Sequence, residues 1–333
     1  MKRIAWIDYG KSLAIFLVVL LHVNCNHEVV KVINGFIMPL FFLMSGYLFS
    51  IDRNPSYKVF VAKRFRQLMV PYLWISALAY AAWVTVLRHV GSSTDSGMEW
   101  HVPLVGIFGG IPPLLRHDVP LWSLISFFMA EIIYYPLCRR VHRPLVIAAG
   151  ALILTLTIAL TIPTVPQYFP LALGPTLCAL IFYDLGHYLR SKSDGGRSLF
   201  RLPWALAAVV LFVVSVRFNE EISFYTCRYG NFGLFLISSL SGSYLVCCAA
   251  YLLSRLGVPV LIKFTSRVTL LICGFHLLVF ALLKGIALYG FGITPETLTA
   301  GILPGICFSL VSFFICLGIS WFIEHYFRFL VDK

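Results

Sequence analysis

The sequence predicts an all-α fold: a polytopic transmembrane helical bundle of about ten spans with both termini on the cytoplasmic side. Three observations carry that prediction. The 333 residues are 59% hydrophobic and only 12% charged, about half the charged share (roughly 25%) of ordinary globular chains, too little to cover a soluble surface. The apolar residues gather into runs of the length, about 20 residues, that crosses a bilayer core as a helix. The basic residues fall between alternate runs, as the positive-inside rule requires. Aromatic residues at 15% exclude a disordered chain. A net charge of +12 would suggest nucleic acid in a soluble domain, but here it reads as loop charge, and no nucleic-acid partner is expected.

The runs place spans near 4–24, 30–50, 68–88, 120–138, 144–163, 169–190, 203–218, 232–254, 268–289 and 302–324. The first follows Lys2 and Arg3 without a small-residue cleavage site, so it is read as a retained span. With the N-terminus inside, the inner segments carry Lys2 and Arg3, then Arg53, Lys58, Lys63, Arg64 and Arg66, then Arg139, Arg140 and Arg143. They continue with Arg190, Lys192, Arg197 and Arg201, then Arg255, Lys263 and Arg267, and end with Arg328 and Lys333: 19 of the 26 Lys and Arg. An odd number of spans would scramble this alternation. The longest polar loop, from about Arg88 to Val119, is external and holds Gly109-Gly110 and Pro112-Pro113. No soluble domain is expected, so residues 1–333 form a single integral-membrane domain. No internal repeat is evident, which weighs against a transporter built from repeats. The nine cysteines show no C-x-x-C pair and no metal spacing, so they read as small core residues and no metal site is expected.

Each ionisable residue within a span costs about 2.5–3.5 kcal/mol to insert and needs a partner or a task. Span 1 holds Asp8, Lys11 and His22. At about 100° per residue, Lys11 and His22 come within about 20° of one face, about 16 Å apart along the axis. Asp8, three residues before Lys11, is within pairing reach. Two readings stand side by side: a structural Asp8–Lys11 pair with a snorkelling lysine and a hydrogen-bonded core His22, or a chemical stripe of acid, base and imidazole. Span 2 ends Met38-Pro39-Leu40-Phe41-Phe42-Leu43-Met44-Ser45-Gly46-Tyr47. There Pro39 would kink the helix, and Gly46 would allow tight packing against span 1. Lys63 and Arg66, three apart, anchor the inner loop or form an anion site for the phosphates of a cytoplasmic cofactor. Further buried candidates are Glu131 behind Trp122 in span 4, Asp184 and His187 in span 6, His276 in span 9, and Glu324 and His325 closing span 10.

These pieces, in this order, resemble the membrane-bound acyltransferase 3 family, in particular the stand-alone sugar O-acetyltransferases grouped with fucose 4-O-acetylases. Trp6-Ile7-Asp8 through Lys11 to His22 is similar to its basic-x10-His signature, and Met38 to Tyr47 resembles its M-P-L-F-F-x-x-S-G-Y segment. Lys63-x-x-Arg66 followed by Pro71 and Tyr72 resembles its R-x-x-R motif, and Leu121-Trp122 its L-W. Tyr183-Asp184-Leu185-Gly186 and the stretch from Tyr229-Gly230-Asn231 to His276 follow its later layout. Ile37 stands where the subgroup commonly has His, and the run ending at His276 lacks the usual Ser and Tyr. An appended esterase-like domain, which larger members carry, is not expected.

The resemblance implies acyl-CoA, with acetyl-CoA as the expected donor substrate and no tightly bound cofactor. The acceptor is a hydroxyl of a carbohydrate or glycolipid, at the plasma membrane of a bacterium in contact with membrane lipid. It implies catalytic roles for His22, Lys11 and Asp8, and a donor site at Lys63, Arg66 and Ser45. Trp122, Glu131 and His276 fall on the acceptor side. The other class compatible with ten spans and buried charges is a transporter or flippase of a lipid-linked sugar, which acyl-CoA dependence would separate from a transferase.

Overall fold

The computed structural model describes residues 3–53, 56–89, 97–143, 145–192 and 200–331. Lys2, Arg197 and Lys333, counted above among the inner charges, lie outside these, as does part of the long outer loop. Every predicted span is helical. Helix α1 (Ala5–Val23) ends where Asn24 turns left-handed (φ 56°). The Asn26 side chain then accepts the Glu28 and Val29 amides, at 2.8 and 3.3 Å, and caps α2 (His27–Asn34). A break at Gly35–Phe36 separates α2 from α3 (Ile37–Leu48). Span 2 is therefore two helices, with Pro39 in the first turn of the second, where its missing N–H costs little.

The third span begins earlier than its apolar run. Helix α4 (Tyr57–Arg64) passes through a π-helical turn (Phe65–Met69) into α5 (Val70–Thr85). Pro71 supplies no N–H to the ladder, and the Val70 amide reaches back five residues to the Phe65 carbonyl, widening one turn. A short outer helix, α6 (Val102–Gly109), is tied to α5 by the Tyr72 hydroxyl donating to the Ile107 carbonyl at 2.8 Å.

Helices α7 (Trp122–Arg140), α8 (Val146–Thr161) and α9 (Leu173–Lys192) form one wall. The Asp184 carboxylate on α9 accepts the Ala148 amide (2.9 Å) in the first turn of α8 and the Tyr134 hydroxyl (2.7 Å) of α7, a negative charge placed at a helix N-terminus. His187 Nδ1 lies 2.7 Å from the same Tyr134 hydroxyl, so both ionisable residues of span 6 bind helices together.

Helices α3 and α9 pack backbone against backbone. A Cβ on Gly46 would collide with the Tyr183 carbonyl, and one on Gly186 with the Leu43 carbonyl. Gly46 thus admits span 6, not span 1 as its sequence neighbourhood suggested. Each glycine lets the backbone of the other helix approach, Gly46 taking the Tyr183 carbonyl and Gly186 the Leu43 carbonyl, whereas α1 meets α3 at Gly10 and Met44.

Helix α10 (Leu202–Phe218) connects through a hairpin, residues 219–231, to α11 (Phe232–Ser254). Ser223 and Arg228 exchange backbone hydrogen bonds (2.8 and 3.0 Å) across its turn. Helix α12 (Val260–Arg267) lies against the first turns of α1. It is followed by α13 (Thr269–Phe291), the short α14 (Pro295–Leu298) and α15 (Ile302–Tyr326). Among the described residues, seven helical segments are long and apolar enough to cross a membrane, and α8 and α10 are shorter apolar helices; these nine and the more polar α9 fall at the ten predicted positions. Arg3 donates to the Lys263 carbonyl on α12 (3.1 Å), and Arg267, ending α12, pairs with Glu324 in the last turn of α15 (2.7 Å). Both ends of the chain therefore meet at one end of the bundle, as an even span count demands. The chain is a multi-pass membrane protein.

Candidate active site

A cavity of about 590 Å³ runs along α1. Its lining includes Lys11, Ile15, Val18 and His22, spaced by four, three and four residues, which is one stripe of a helix. The sequence expectation that Lys11 and His22 share a face is met, and that face is the wall of a cavity.

At the outer end, His22 Nδ1 is 2.8 Å from the Val18 carbonyl. A carbonyl only accepts, so Nδ1 carries the proton and Nε2 keeps its lone pair. The His276 ring stands edge-on to His22, with centroids 4.9 Å apart and planes at 61°. His276 is fully buried, bonds the Ile272 carbonyl through Nδ1 (3.1 Å), and leaves Nε2 without a partner. It stands behind His22 and does not line the cavity. Trp122 does, stacked on Phe224 of the hairpin (6.0 Å, 20°). Phe224 in turn lies over Phe42 at 6.1 Å.

At the inner end the lining is charged. Arg64 Nε sits 2.6 Å from Glu131 Oε2, and the Tyr183 hydroxyl donates to Glu131 Oε1 at 3.4 Å. Lys11 faces the same space and has no ion-pair partner among the described residues. Ser45 lines the cavity from α3. Asp8 does not. Its carboxylate pairs with Arg3 (2.5 Å) and accepts the Ser266 hydroxyl (2.8 Å), fastening α12 to α1. Three residues along a helix turn Asp8 about 60° away from Lys11, so the expected Asp8–Lys11 pair gives way to contacts on the flank.

Of the residues singled out from sequence, Lys11, His22, Ser45, Trp122 and Glu131 line one cavity, and His276 backs it. Lys63 and Arg66 are exposed and do not line it. The basic residue that enters from this segment is Arg64, which sequence reasoning missed. Its signal was there: Phe60 (buried) and Leu68 (cavity lining) flank it at four-residue spacing, marking the inward face of the helix. Phe224 and Tyr225 were also missed, because nothing local tells that their hairpin folds back into the bundle. No group of three or more His, Cys, Asp or Glu suited to a metal ion occurs among the described residues.

A family model described as an acyltransferase domain (Acyl_transf_3) matches residues 4–329. The chain belongs to the acyltransferase 3 family. Neither a curated protein nor a solved structure matches it. As an acyltransferase 3 protein it is a multi-pass membrane acyltransferase, which must hold an acyl donor and an acceptor. The geometry bears on that task directly: a neutral imidazole with a free lone pair at one end of an elongated cavity, and a cation at the other.

Proposed function

We propose that the chain is an O-acyltransferase of a bacterial plasma membrane. It moves an acetyl group from cytoplasmic acetyl-CoA to a hydroxyl of a cell-surface or lipid-linked carbohydrate. The observation that carries this reading is His22. Its Nδ1–H is committed to the Val18 carbonyl, so Nε2 faces the reaction as a base. Nε2 takes the proton of the acceptor hydroxyl as that oxygen attacks the thioester carbonyl. The carbon–sulfur bond then breaks, and the thiolate of CoA leaves with the proton returned by His22. Transfer through an acyl-His22 intermediate balances equally, with the acyl group first on Nε2 and then on the acceptor oxygen.

The inner charges suit the donor. Lys63 and Arg66, on the exposed inner segment, meet the CoA phosphates. The pantetheine arm then extends past Lys11 and Ser45 towards His22. The separation of about 16 Å places Lys11 on the donor's polar stem rather than on the oxyanion formed at His22. Glu131 is engaged by Arg64 and shapes the inner wall, while Trp122 and the hairpin aromatics present flat apolar faces to a sugar. Asp8 holds α12, and His276 supports the His22 ring.

The test supplies labelled acetyl-CoA to the cytoplasmic face of membrane vesicles containing wild type or His22→Ala at matched expression. Label entering a glycan or glycolipid with wild type alone is the expected result. Full transfer by a folded His22→Ala protein would sink the assignment, and no acyl-CoA consumption with native acceptors present would return the chain to lipid-linked sugar transport.

A further inference from the structure

A second cavity of about 550 Å³ opens at the outer ends of α8 and α9, against the hairpin 219–231. The same hairpin walls both cavities: Ser223, Phe224 and Tyr225 face the His22 cavity, whereas Glu220, Glu221 and Arg228 face the outer one. The hairpin is held by a buried amide. Asn219 Oδ1 accepts the Glu220 and Asn231 amides (2.9 and 2.8 Å), and its Nδ2 donates to the Tyr229 carbonyl (3.1 Å). Gly230 (φ +59°) packs so closely on Asn219 that a side chain there would strike Oδ1. The charged groups on the hairpin are therefore presented from a fixed frame.

We infer that the outer cavity is a second saccharide subsite, taking a neutral or amino-sugar residue of the same acceptor at a distance from the hydroxyl that is acylated. This rests on the carbohydrate acceptor proposed above and adds that the acceptor is a chain of several sugars. The lining supports the ligand class. Two carboxylates, Glu220 and Glu221 (the latter 3.5 Å from the His27 ring), outnumber the one guanidinium of Arg228 in the lining, which disfavours phosphate or diphosphate groups. Carboxylates and a guanidinium together accept from and donate to hydroxyls. Leu156 and Leu160 on α8 offer an apolar face for the C–H side of a sugar ring. The Tyr229 hydroxyl, buried in the wall, has only the weakly bonding thiols of Cys178 and Cys227 beside it. The hairpin stands between this cavity and the one at His22, so the proposal requires an acceptor longer than one sugar.

The experiment replaces Leu160, exposed at the cavity rim, with the photo-cross-linking residue p-benzoylphenylalanine. Intact cells are irradiated, and the purified protein is stained for glycan by periodate oxidation. The expected result is a glycan adduct that persists with His22→Ala and falls about tenfold with Arg228→Gln plus Glu220→Gln, the loss of charged hydrogen bonds to the ligand. In vesicles the same pair of substitutions raises KM for the acceptor and leaves kcat within about twofold. A phospholipid adduct alone, no adduct, or a glycan adduct indifferent to the double substitution would overturn the subsite. A glycan adduct without acyl transfer in the vesicle assay would refute the acetylation reading and leave the outer cavity a saccharide site but not an acceptor subsite.

Discussion

At its inner end the cavity is walled by ionisable groups: Lys11, and Arg64 drawn onto Glu131. At its outer end the lining is neutral: the His22 imidazole, bonded through Nδ1 to a backbone carbonyl and backed by His276, and Trp122 and Phe224 stacked on one another over Phe42. The two ends therefore suit different partners. Charge at one end meets an anionic donor. At the other, an imidazole kept away from carboxylates stays neutral and basic, which a general base for a neutral hydroxyl requires.

The strongest way to break this contrast is at the outer end. His22→Ala removes the base and is expected to lower kcat by roughly 10²–10⁴-fold, read as acyl transfer in vesicles. A loss confined to KM would instead make His22 a binding group and end the distinction between the two ends. At the inner end the expected loss is one of stability. Arg64→Ala leaves Glu131 buried without its partner and is expected to cost about 3–5 kcal/mol, measured as the unfolding midpoint in detergent. Arg64→Met combined with Glu131→Met should recover most of that cost, because two apolar side chains leave no charge to desolvate. A fully stable Arg64→Ala protein would mean that water screens the pair, and the inner end would then be no drier than the loop outside it.

The frame that keeps the ends apart depends on α3, which carries Phe41 and Ser45 into the cavity and rests on α9 through two glycines. Gly46→Ala forces a methyl into the Tyr183 carbonyl and is expected to destabilise by about 1–3 kcal/mol, the cost of overpacking. Gly150→Ala in α8 meets nothing within 4 Å and should be neutral or slightly stabilising, since alanine favours a helix. Equal melting temperatures for the two variants would show that the α3–α9 contact yields.

What the sequence made legible follows from which contacts are local. The polytopic helical bundle, and the placing of Lys11 and His22 on one face, need only helix periodicity and the price of burying charge, and the structure holds both. Arg64 was hidden because Lys63 and Arg66 carry the same chemistry one and two residues away. Only the apolar flanks Phe60 and Leu68, with helix extending back to Tyr57 and a π turn after Arg64, decide which of the three faces inward. The Tyr183 carbonyl that Gly46 packs on lies about 140 residues away, and the hairpin that seats Phe224 over Trp122 is joined to it only through space. Such pairings arise when helices pack and leave no mark on local spacing. The Asp8 carboxylate shows the limit in part: Arg3 is local, but its other partner Ser266 is 258 residues distant, and the nearer Lys11 was the natural guess.

The smallest expected effect tests whether the inner charges form one site or two. Lys63 and Arg66 are exposed, so each meets a ligand in water, where ion pairs are weak and screened over about 8–10 Å at physiological salt. Lys11 lies inside the cavity, where screening is poor. Lys63→Gln and Arg66→Gln should each raise KM for acyl-CoA by about two- to fivefold in dilute buffer, with kcat unchanged, and the effect should fade near 1 M salt, where the screening length drops to about 3 Å. Lys11→Gln should raise the same KM by an amount that persists in salt. If all three variants lose their effect together as salt rises, Lys11 shares its solvent with the loop, and the donor site ends at the membrane surface. If only the two loop variants do, the donor passes from a screened surface contact to an unscreened internal one on its way to His22.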